Sequence, residues 1–169
     1  MIALNIFVEF IYFLMKVINA FAKSNEKLKA HKARSILNRM NPVNKADGFV
    51  EPNQYTYNAV LNACAYSYGD AEERAGVFKI AHRTFSELRR SRYYKPDAIT
   101  YGTFLRCCNR LIPEGKTRDN MIESVFQSCC NENVESDFVD KQLREAASDS
   151  LYQKLSEWKT KNAASKLSL

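Results

Sequence analysis

The sequence predicts an all-α fold, a solenoid of stacked antiparallel helix pairs, on three observations. A chain of 169 residues with 46% hydrophobic side chains holds only five Gly and four Pro, which is ample for a core and too little turn material for an all-β fold. Apolar residues recur at three- and four-residue steps, the period of an amphipathic helix. Finally, a segment repeats: residues 51–65 read EPNQYTYNAVLNACA and residues 95–109 read KPDAITYGTFLRCCN. Both carry Pro, Asn or Asp, two spacers, Thr-Tyr and an apolar run, with Thr56 and Thr100 at a period of 44. Paired helices cannot bury their apolar stripes alone, so neighbouring pairs must stack.

The elements follow in chain order. Residues 1–23, MIALNIFVEFIYFLMKVINAFAK, are interrupted by Glu9 and Lys16 and preceded by no basic residues, so a buried helix is expected rather than a signal peptide or membrane anchor. Its end aligns with the middle unit at a period of 43, through Val17 and Val60, Asn19 and Asn62, Ala20 and Ala63. A second helix is expected over 25–40 with Ala33, Ile36, Leu37 and Met40 on one face, then a loop over 41–53. In the middle unit Asn53 is an N-cap candidate, Tyr57, Val60, Leu61 and Cys64 form one stripe, and Asp70 caps a second helix striped by Val77, Ala81, Phe85 and Leu88. Arg89, Arg90 and Arg92 suit that helix's C-terminal end. The next unit repeats the plan with Ile99, Phe104, Leu105 and Cys108, a turn at 113–115, and Ile122, Val125 and Phe126. The expected organisation is one repeat domain over 1–169: a degenerate unit 11–53, units 54–97 and 98–137, a closing helix pair 138–162 and a tail 163–169.

The net charge of +6 and pI near 9.1 permit attraction to a polyanion. The excess falls in residues 1–50, where eight cations face three anions. Five cysteines, odd in number, with two adjacent pairs and no CxxC spacing, argue against a disulfide framework. With only His31 and His82 beside them, the thiols are expected to pack as small buried hydrophobes, with no metal or other cofactor.

The string V-x-P-N-x-x-T-Y-N-x-x-L-x-A over residues 50–63, VEPNQYTYNAVLNA, closely resembles the start of a pentatricopeptide motif. The copy KPDAITYGTFL resembles it almost as well, and ARSILNRM at 33–40 resembles the end of such a motif's second helix. The resemblance spans most of residues 13–140, with two good copies and two weak ones. Spacings of 43 and 44 exceed the family's units of about 35 residues, the surplus lying in turns and loops. The resemblance implies a right-handed α-α superhelix that binds single-stranded RNA one base per repeat. Carried over by position, it implies a reading pair of Asn58 and Asp97, similar to the family's uridine-preferring combination, with Tyr55 and Ile99 sandwiching the base. Gly102, paired with Asp137, and Met15, paired with Asn53, are implied to be poor readers. It also implies work on RNA processing, stability or translation in a mitochondrion or plastid, with the cytoplasm as the alternative because no transit peptide is legible.

Other chemistry fares worse. The sequence has no Gly-rich phosphate loop, HExxH or GxSxG, so an enzyme is not expected, nor a small-molecule substrate or membrane partner. Glu135, Asp137 and Asp140 read as a solvated helix face. The rival reading is a tetratricopeptide-like scaffold with protein partners, against which the lone Trp158, far from the start of a unit, argues. Packing and capping are the expected roles of Thr56 and Tyr57, and capping is a sufficient role for Asp97.

Overall fold

The computed structural model describes residues 2–40 and 52–166. They form eight helices and no strand: α1 (Ile2–Lys23), α2 (Lys29–Met40), α3 (Gln54–Ala65), α4 (Ala71–Arg90), α5 (Ala98–Leu111), α6 (Lys116–Asn131), α7 (Asp137–Ala146) and α8 (Asp149–Lys166). The expected loop over 41–53 lies outside the described residues up to position 51, as does the end of the expected tail, 167–169. The chain forms two compact units, Met1–Pro96 and Asp97–Leu169.

Each unit is a pair of helical hairpins with the same neighbours. In the first, α3 packs on α1 and α2, and α4 packs on α2 and α3. In the second, α7 packs on α5 and α6, and α8 packs on α6 and α7.

The repeated Pro-[Asn/Asp]-x-x-Thr string has a local physical cause. Asn53 caps α3: its Oδ1 accepts from the backbone N–H of Thr56 at 3.0 Å and from the Thr56 hydroxyl at 2.9 Å. Asp97 caps α5 in the same way, accepting from the Thr100 N–H and hydroxyl, both at 2.8 Å. Each cap satisfies donors that a helix start leaves without an intrahelical partner, an effect of about 1 kcal/mol. Thr56 and Thr100 are fully buried, so the cap also seats the following Tyr57 and Tyr101 in the core. Asp70 and Glu73 close a reciprocal capping box on α4.

The expected stripes are buried. Tyr57, Val60, Leu61 and Cys64 of α3, Val77, Ala81, Phe85 and Leu88 of α4, and Ile122, Val125 and Phe126 of α6 lie in the core. Tyr101, Phe104 and Leu105 are fully enclosed, each apolar side chain contributing about 1.5–3 kcal/mol relative to exposure. None of the five cysteines is in a disulfide, and all are buried. Burial pushes the thiols of Cys64, Cys108 and Cys129 up to about 12.

Four expectations shift. Ile99 does not join the apolar stripe but stands 54% exposed. It is the second residue of α5, on the helix side that carries Gly102 and Arg106 one and two turns on. The second helix starts at Lys29 rather than 25, because residues 24–28 make a turn. Ser24 Oγ donates to the Phe21 carbonyl and accepts from the Glu26 N–H, while the Asn25 carbonyl accepts from the Tyr68 hydroxyl at 2.7 Å. The last helix runs to Lys166, past the expected start of the tail at 163, as its Ala-Ala-Ser-Lys ending permits. Finally, among the described side chains of α1, Ile18 and Ala22 are in the core while Tyr12 and Phe13 are exposed. No helix among the described residues is long and apolar enough to cross a membrane.

One polar cluster lies inside the first unit. Arg34 of α2, only 6% exposed, donates to the Thr84 hydroxyl at 3.1 Å and to Glu87 Oε1 at 2.7 Å, both on α4. Arg83 meets the same carboxylate oxygen at 2.9 Å. Burial opposes the charge on Glu87, yet the hydrogen bonds from Arg34 and Arg83 outweigh it and hold the carboxyl below the usual carboxylate range.

Candidate nucleic-acid interface

The capped helices α3, α5 and α7 can be laid over one another by their caps, Asn53, Asp97 and Ser136. The cap of α7 is Ser136, whose Oγ accepts from the Val139 N–H. Asp137 is therefore the exposed first residue of that helix and not the counterpart of Asn53 and Asp97. A hydroxyl in place of an amide or carboxylate suffices for capping, so the register moved by one position without any loss of the helix.

Two, five and nine residues past each cap, three positions recur on one side of the helix. On α3 they are Tyr55, 67% exposed, and the half-buried Asn58 and Asn62. On α5 they are the exposed Ile99, the buried Gly102 and the half-buried Arg106. On α7 they are the half-buried Phe138 and the exposed Lys141 and Glu145. The period of 43 extends the set to α1 as Tyr12, Met15 and Asn19. Tyr12 is 60% exposed, with the Lys16 ammonium 4.5 Å from its ring centroid. Sequence reading missed Tyr12 because it lies in the weakest copy; counting 43 back from Tyr55 finds it.

In the first unit the two helices that carry these positions, α1 and α3, pack together. Met15 of α1 meets the cap of α3, with Asn53 Nδ2 donating to its thioether sulfur at 3.8 Å. Tyr12 lies one turn before Met15, and Tyr55 lies two residues after Asn53. The two exposed rings thus belong to neighbouring helices joined by the Met15–Asn53 contact. Asn58 lies one turn past Tyr55 on the same side.

In the second unit the corresponding place is filled. The Phe138 ring lies on Gly102, so near that a methyl added there would stand 2.5 Å from Phe138 Cδ1. The Arg106 guanidinium stacks 5.5 Å from the Phe138 centroid, and its Nε donates to the buried Gln142 Oε1 at 2.8 Å. Gly102 is thus a seat for an aromatic ring. Nothing in the sequence flags this, since the partner is 36 positions away.

No protein-family model, curated protein or solved structure matches this chain. Asn58 and Tyr55 belong to the first unit, Asp97 and Ile99 to the second. Asp97 is half-buried, with Oδ1 committed to the cap. Among the described residues no group of three His, Cys, Asp or Glu side chains is arranged to hold a metal ion.

Proposed function

We propose that this chain is a pentatricopeptide-like repeat protein, its helix pairs stacked as a right-handed superhelix, that binds single-stranded RNA in the processing, stability or translation of transcripts. The observation that carries the proposal is the pair of exposed rings, Tyr12 and Tyr55, at matched positions on the packed helices α1 and α3. Two aromatic faces on successive helices suit a base stacked between them, and stacking is indifferent to which base it is. Met15 and Asn53, the contact that joins the two helices, lack a complementary pair of donor and acceptor groups, so this place holds a base without choosing it. Base choice within this unit falls to Asn58. The filled seat on Gly102 leaves the second unit without a place of its own. A mitochondrial or plastid setting rests on the motif resemblance alone.

Fluorescence-anisotropy titration of oligo-U, oligo-A and oligo-C tests the reading. Binding is expected to weaken in Tyr12→Ala and in Tyr55→Ala by about 5- to 150-fold, the equivalent of about 1–3 kcal/mol of stacking. Asn58→Ala is expected to erase a preference for U. Absence of binding at about 100 μM, near the weak nonspecific range, would refute the proposal in favour of a protein-binding scaffold.

A further inference from the structure

The connection from α4 to α5 carries a further exposed aromatic, Tyr93, inside the densest run of positive charge in the first unit. From Arg89 to Lys95 the sequence reads RRSRYYK, four cations and two tyrosines without an acid. Arg89, Arg90, Arg92 and Lys95 are all exposed, and Tyr93 is 67% exposed. The acids that flank the run are engaged elsewhere, Glu87 by Arg34 and Arg83 and Asp97 by the cap of α5. Arg89 and Arg90 close the last turn of α4, where a cation is expected for the helix dipole alone. Arg92 lies beyond the helix, so the dipole does not account for it; Lys95 also lies beyond it, with its ammonium turned back to the carbonyl of Ser91, the C-cap of α4.

The segment is held in place. Ser91 Oγ accepts from the N–H groups of Tyr93 and Tyr94, and Lys95 Nζ donates to the Ser91 carbonyl at 2.9 Å. The Lys95 carbonyl accepts from Gln54 Nε2 at 2.9 Å. Gln54 is the residue before Tyr55. This hydrogen bond therefore docks the basic segment beside the exposed ring at the head of α3.

We infer that Arg92 and Lys95, with Arg89 and Arg90 behind them, bind the phosphates of single-stranded RNA where it passes Tyr55, and that Tyr93 stacks on an adjacent base. The inference rests on the RNA-binding reading and adds to it the place where the backbone is gripped. Cations set beside an aromatic platform are the combination that holds a single strand irrespective of sequence. Each phosphate neutralised adds about 0.7 to the slope of log affinity against log salt.

The test is that slope for the full chain with oligo-U and oligo-A. In Arg92→Gln/Lys95→Gln it is expected to fall by about 1.4, two contacts of about 0.7 each, with equal weakening for both RNAs. Tyr93→Ala is expected to weaken binding and leave the slope unchanged. Lys79→Gln, an exposed cation of α4 outside the run, should leave both unchanged. Because the replaced side chains are exposed, unchanged circular dichroism is expected of every variant. An unaltered slope in the double variant while the wild-type chain still binds would overturn the patch and spare the RNA reading. So would a fall of about 0.7 in Lys79→Gln, half that of the double variant, which signals diffuse attraction. Absence of RNA binding by the wild-type chain would overturn both, as would charge-dependent binding to phosphatidylserine vesicles without any to RNA.

Discussion

The contact between Phe138 and Gly102 makes a prediction whose sign depends on a second residue. Replacing Gly by Ala inside a helix ordinarily stabilises it by about 0.8–1.0 kcal/mol, because the unfolded chain loses freedom. At Gly102 the new methyl would stand 2.5 Å from Phe138 Cδ1, whereas carbons rest at about 3.5–4.0 Å. The ring must then move by about 1 Å, away from Gly102 and from its stacking on Arg106, and overpacking of this kind costs about 1–3 kcal/mol. The net effect of Gly102→Ala is a loss of about 0–2 kcal/mol. Phe138→Ala alone removes a half-buried ring and costs about 2 kcal/mol, roughly half the value for a full core Phe. In that background no ring opposes the methyl, and Gly102→Ala should stabilise by about 0.8–1.0 kcal/mol. The coupling between the two sites is therefore about 1–3 kcal/mol. Trp158, the sole tryptophan, lies in α8 of the same unit, so its fluorescence during urea unfolding reports on the right body. An equal effect of Gly102→Ala in both backgrounds would show that the ring does not rest on this glycine.

Other predictions concern stability and thiol chemistry. Glu87→Leu strands the buried Arg34 and should cost about 3–5 kcal/mol, whereas Arg34→Met leaves Glu87 paired with Arg83 and should cost less; urea midpoints of the two variants compare them. Since the carboxyl of Glu87 is held below its usual range, its contribution is whole above the unfolded value of about 4.3 and is lost as pH falls through the lower folded value. The stability gap between wild type and Glu87→Gln should therefore close on acidification below that point, and a gap independent of pH down to 2 would refute the pairing. The cap of α5 predicts that Asp97→Ala loses about 1 kcal/mol and Asp97→Asn a few tenths, measured by thermal unfolding. The cysteines should resist a thiol reagent at pH 8 and react in full in denaturant. Since burial raises three of them, stability should decline as pH rises past the unfolded thiol value of about 8.5, where only the unfolded chain ionises.

The sequence by itself determined what rests on neighbours three or four positions apart. The caps at Asn53, Asp70 and Asp97, the buried stripes of α3, α4 and α6, and the pairing of helices into hairpins were legible, because each depends on local hydrogen bonds or on helical period. The period of 43 also held Tyr12, had it been carried back through the degenerate copy. Where a hydroxyl replaced the amide or carboxylate, at Ser136, the pattern was too weak to set the register of α7. Tertiary structure decided what depends on distant chain segments sharing space. It seated Phe138 on Gly102 across 36 positions, buried the guanidinium of Arg34 against Thr84 and Glu87, and tied Gln54 to the carbonyl of Lys95. A glycine, an arginine or a glutamine looks the same in a sequence whether solvent or another helix lies beside it. Only packing chooses between those surroundings, and that choice left the aromatic positions of the first unit exposed while closing the one over Gly102.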